Sequence, residues 1–117
     1  MESSEDQVRD ALAHSRNEFR DQMTKKQQEK RKHLKELLEE RKEAKMFEFE
    51  VKQKELEWLN NMYNNPEEIA KVKTQQAELE IKIEQWMISF DNQCADEEKE
   101  LDDKEVEDEN RFTGILL

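Results

Sequence analysis

The sequence predicts an all-α fold, a long antiparallel coiled-coil helical hairpin, and three observations predict it. Charged residues make up 44% of the 117 residues and hydrophobic ones 33%, with one glycine and one proline. Globular domains average roughly 25% charged and 45–50% apolar residues. Apolar residues recur at alternating steps of three and four, the period of a helix seam. One turn-forming cluster, Asn60-Asn61-Met62-Tyr63-Asn64-Asn65-Pro66, interrupts an otherwise unbroken run of good helix formers.

The first long helix is expected over residues 5–63, within a segment 1–63. Ser4 followed by Gln7, or Ser3 by Asp6, reads as a capping box, and Glu5 and Asp6 suit the positive end of the helix dipole. Residues 64–66 form the turn. Pro66 pushes Asn65 out of helical geometry and is itself suited to open a new helix, with Asn65 as N-cap and Glu68 closing a second capping box. The second helix is expected over 66–108, and residues 109–117 as a short apolar tail.

In the second helix Ile69, Val72, Gln76, Leu79, Ile83, Trp86 and Phe90 form a heptad seam, which thins into Cys94 or Gln93, Glu97 and Leu101. With Met62, the apolar members of this seam are expected to pack within the chain. The first helix has two rows near the turn. Ala44, Phe47, Val51, Trp58 and Met62 form one, and Met46, Phe49, Leu56, Leu59 and Tyr63 the other.

Charge sets the direction of pairing. Residues 25–35 carry six lysines and arginines against one glutamate, whereas residues 96–110 carry ten acids against two lysines. Folding the chain back at Asn64-Asn65 lays these blocks side by side, with residue 30 facing residue 101. The same register puts Met62 near Ile69, Trp58 or Leu59 near Val72, and Ala44 near Trp86. A parallel pair of straight helices would set acid against acid. Exposed ion pairs contribute only about 0.2–1 kcal/mol each, but a matched block selects orientation and register. Two chains exchanging helices across an opened turn would satisfy the same pattern.

Both helices carry more apolar surface than a two-stranded pair can cover. Ala77, Ile81 and Ile88 stand opposite the seam of the second helix, and the two rows of the first helix cannot both face one partner. The candidate partner-binding residues are therefore Phe47, Phe49, Trp58, Tyr63, Ala77, Ile81 and Ile88. In the tail, Phe112, Ile115, Leu116 and Leu117 read as a short docking segment, with Gly114 as an alternative helix stop.

The net charge of −11 disfavours generic binding to nucleic acid or anionic membrane. The basic run at 25–35 resembles a phosphate-binding stretch only when separated from its acidic counterpart. One glycine leaves no phosphate-cradling loop, and His14, His33 and Cys94 are too scattered for a metal site. Solvated carboxylates lack the desolvation that would tune them as general acids. No catalytic, cofactor or metal residues are assigned. A single cysteine gives no internal disulfide, and no run is apolar enough to span a bilayer, so cytoplasm or nucleus is the expected setting.

The function expected is structural: a scaffolding subunit of a hetero-oligomeric coiled-coil complex, with other coiled-coil chains as partners and a homodimer as the second assembly. By analogy of architecture, chromosome-segregation or cytoskeletal assembly comes first. A membrane-trafficking tether subunit, a helical chaperone and a binder of basic proteins through the acidic segment are the alternatives.

Overall fold

A computed structural model describes residues 4–116, with side chains through Gly114. The described residues form two helices and no strand: α1, Ser4–Met62, and α2, Pro66–Leu116. They run antiparallel as a helical hairpin. No helix among the described residues is long and apolar enough to cross a membrane.

The turn is built as its residues dictate. The Tyr63 amide donates to the Leu59 carbonyl at 3.1 Å, closing α1. Asn65 then caps α2: its Oδ1 accepts from the Glu67 N–H at 3.0 Å, and its carbonyl accepts from the Ile69 N–H at 3.0 Å. Pro66, which has no N–H to leave unsatisfied, takes the first helical position. Glu68 makes no return bond to the Asn65 backbone, so the cap has one side-chain arm rather than two. Ser3 lies outside the described residues.

Two compact units divide the chain, and each helix contributes to both. The unit Glu36–Glu97 holds the core around Leu56, Val72 and Leu79, with Phe49, Leu59, Tyr63 and Ile83 packed against it. Leu56 is only 2% exposed. Trp86 stacks on Phe90 at 4.9 Å between ring centroids and takes Phe49 edge-on at 6.0 Å. Of the two rows on α1, the one containing Phe49, Leu56, Leu59 and Tyr63 thus faces α2. The expected seam of α2 faces inward along its whole length: Val72, Leu79 and Phe90 are buried, and Ile69, Gln76, Ile83 and Trp86 half-buried.

Two expectations are corrected in this unit. Met62 does not join the seam. It belongs to the other row of α1 and is exposed. Trp86 meets Phe49 rather than Ala44, because Ala44 lies on that same outer row.

The other unit, Met1–Lys35 with Glu98–Leu117, pairs the start of α1 with the end of α2. Here the second helix corrects the expected boundary. It continues beyond residue 108 to Leu116, and Gly114 does not stop it. A glycine inside a helix costs about 1 kcal/mol, whereas burying a phenylalanine contributes about 1.5–3 kcal/mol. Phe112, at 6% exposure, supplies that burial by stacking on Phe19. Glu107–Arg111 and Thr113–Glu109 contacts, each four residues apart, reinforce the last turns.

Candidate helix-docking surface

Within the unit Glu36–Glu97, helical geometry turns one apolar row of α1 away from α2. Phe47 and Trp58 are 68% and 60% exposed, and Val51 and Met62 are more than half exposed. On α2, Ile81 and Ile88 are 55% and 60% exposed, with Ala77 exposed between the core and Ile81 in sequence. The α2 residues Ala70, Thr74, Ala77, Ile81 and Ile88 keep steps of four, three, four and seven, a second heptad row opposite the first. Thr74 stays on the helix surface, its hydroxyl donating to the Ala70 carbonyl at 3.0 Å.

The candidate partner-binding residues therefore separate into four groups. Phe47, Trp58, Ala77, Ile81 and Ile88 are presented to solvent. Phe49 and Tyr63 are turned inward against the Leu56–Val72–Leu79 core, so they support the surface rather than form it. Phe112 is corrected from a docking residue to a core residue of its own unit, because Phe19 covers one face of its ring and the Arg20 guanidinium lies 5.5 Å from its centroid. The side chains of Ile115 and Leu116, and all of Leu117, lie outside the described residues.

Exposed apolar side chains are ordinary when scattered. These are not scattered, since each row repeats at heptad spacing along one helix face. A helix apolar on two sides is characteristically enclosed by neighbours. Val51 and Met62 belong to this surface although sequence reasoning placed Met62 in the internal seam. The signal was present in their spacing to Trp58, seven and four residues away.

Polar contacts on α1 border the row. Lys45 pairs with Glu48 at 3.2 Å, Lys54 with Glu50 at 3.2 Å and Lys52 with Glu55 at 3.5 Å. All are short-range pairs within the helix, worth about 0.3–0.5 kcal/mol each. Lys45 also lies 5.2 Å from the Phe49 ring, so its charge sits toward the internal side of α1. Arg41 reaches across to Glu97 on α2 at 3.1 Å.

In the unit that pairs the start of α1 with the end of α2, the basic and acidic blocks meet through one clasp. Arg31 Nε donates to Glu105 Oε1 at 2.7 Å, and its Nη2 donates to Glu105 Oε2 and to Asp102 Oδ1, the latter at 2.8 Å. The hydrogen bond from Arg31 is the main reason the Glu105 carboxyl is held below the usual carboxylate range, aided by the charges of Arg31 and Lys30 and opposed by desolvation. The Arg31 guanidinium is correspondingly pushed further toward its protonated form, first by the bond to Glu105. Leu34 and Leu101 lie in the same cleft, beside Lys35 and Glu98. Among the described residues, Arg31 is the one member of the 25–35 block that forms an ion pair with the acidic block. The charge match is therefore a local lock, not a ladder.

No protein-family model, curated protein or solved structure matches this chain.

Proposed function

We propose that this chain is a non-enzymatic structural subunit of a coiled-coil assembly, and that it works by packing helices of other chains onto the outer faces of its own hairpin. The observation that carries this reading is the pair of exposed heptad rows in one unit, Phe47–Val51–Trp58–Met62 on α1 and Ala77–Ile81–Ile88 on α2. Each large side chain covered by a partner contributes about 1.5–3 kcal/mol, and aromatic anchors such as Trp58 dominate interfaces of this kind. Within its own unit, the Arg31 clasp supports a fixed pairing of the start of α1 with the end of α2. A hetero-oligomer is the assembly proposed, and chromosome-segregation or cytoskeletal complexes are the proposed setting, on analogy of architecture alone.

The test is the solution mass of the purified chain by light scattering after size exclusion, with circular dichroism on the same sample. A helical chain that self-associates polydispersely until a partner helix is supplied is the expected result. A fully helical, monodisperse monomer that recruits no helical chain would overturn the reading.

A further inference from the structure

The outer row of α1 has a charge signature that specifies the partner more narrowly than its apolar residues do. Leu37, Ala44, Val51 and Trp58 repeat every seven residues along its centre, with Phe47 between them, and all are exposed. The residue immediately before each is a glutamate: Glu36, Glu43, Glu50 and Glu57. On the other border Glu48 and Glu55 are also glutamates, while Arg41 is drawn inward to Glu97. Lys54 is the one lysine within the row itself. Three of these acids have a lysine partner within α1, Glu48 with Lys45, Glu55 with Lys52 and Glu50 with Lys54 of the row itself, and all three bonds are exposed and weak.

In a coiled coil the residues flanking the apolar seam choose the partner and its orientation. A second copy of α1 against this row would set glutamate against glutamate whether parallel or antiparallel. The outer row of α2 offers no such selection, since Lys71 and Lys73 border one part of it and Glu78 and Glu80 the next.

We propose that the Leu37–Met62 face of α1 takes one helix from another chain, and that this helix carries lysine or arginine on both borders of its own apolar heptad seam. The inference rests on the scaffolding function above and adds the chemistry of the partner. Apolar packing supplies the affinity, and the borders reject acidic helices and a second α1.

The experiment titrates the full chain, by calorimetry, with two synthetic three-heptad peptides. Both have isoleucine and leucine in the seam, and they differ only in lysine or glutamate at every border position. The lysine peptide is expected to bind about tenfold more tightly than the glutamate peptide, the sum of several weak border pairs. The variant E36K/E43K/E50K/E57K, which keeps comparable helix propensity, should reverse that preference. V51D/W58D should abolish lysine-peptide binding, which separates this row from the acidic block at 96–110. Equal binding of the two peptides, or binding that survives V51D/W58D, overturns the inference and leaves the scaffolding reading standing. Binding of neither peptide to a chain that is a stable helical monomer removes both.

Discussion

Phe19 and Phe112 stack with ring centroids 5.1 Å apart and planes 5° from parallel. Phe112 is thereby buried, and its replacement Phe112→Ala should loosen the unit containing it by about 3 kcal/mol, the low end for a buried phenylalanine. Amide hydrogen exchange near residues 19 and 112 would show faster opening. Phe47→Ala, on the exposed row, should change the stability of the isolated chain by no more than about 0.5 kcal/mol. Equal effects of the two would contradict the assignment of inside and outside.

Leu56 sits at the centre of the Leu56–Val72–Leu79 core. Leu56→Ala should cost about 2–4 kcal/mol, read as a drop in the thermal midpoint followed by circular dichroism. A midpoint that does not move would mean that this core contributes little to holding the helices together.

Acid should weaken the Arg31 clasp. A carboxyl held below its unfolded range contributes stability above its unfolded pKa, which for glutamate is about 4.3, and loses it as pH falls through the lower folded value. Glu105 is such a group. Hydrogen-exchange protection around residues 31 and 105, taken relative to the intrinsic rate, should therefore fall below about pH 4, and Glu105→Gln should flatten that local dependence. A Glu105→Gln chain with an unchanged acid profile would assign the sensitivity to other carboxylates.

Gln27 buries its side-chain nitrogen without a hydrogen-bond partner. An unsatisfied buried polar group costs about 1–3 kcal/mol. Gln27→Leu should consequently raise the midpoint of chemical denaturation. A lowered midpoint would mean that the amide finds a partner in solution.

Ile81→Asp combined with Ile88→Asp should leave the helicity of the chain intact and abolish assembly through α2, as read by light scattering in the presence of a partner. Assembly indifferent to that pair would remove the α2 row from the interface.

The inward face of α2 was legible from Ile69 to Phe90 because three-and-four spacing admits one seam there, and Gln76 keeps its place in it. On α1 the sequence offered two rows of equal apolar weight, and local periodicity cannot choose between them. The choice follows from continuity: Leu38 lies three heptads before Leu59 of the Phe49–Leu56 row, and Leu38 is buried. The end of α2 was misread because Gly114 and the apolar ending looked like a separate segment. Yet Leu101, Asp108 and Phe112 continue the α2 seam, and Phe112 alone among them is large enough to carry the helix past its glycine. The charge blocks predicted direction correctly, and among the described residues they meet through Arg31 alone, since long lysine side chains stay hydrated where one arginine can grip two carboxylates.

The stacked pair Phe19–Phe112 also has a kinetic meaning. Contacts around Leu56 and Val72 close a short loop through the Asn65 turn, whereas Phe19 and Phe112 lie near opposite ends of the chain. Loop-closure entropy rises with the length of unstructured chain enclosed, so contacts near the turn form at the lower cost and those at the ends gain once residues 36–97 are ordered. During synthesis all of α1 leaves the ribosome before any of α2. Its apolar rows must then wait, uncovered, for a helix not yet made.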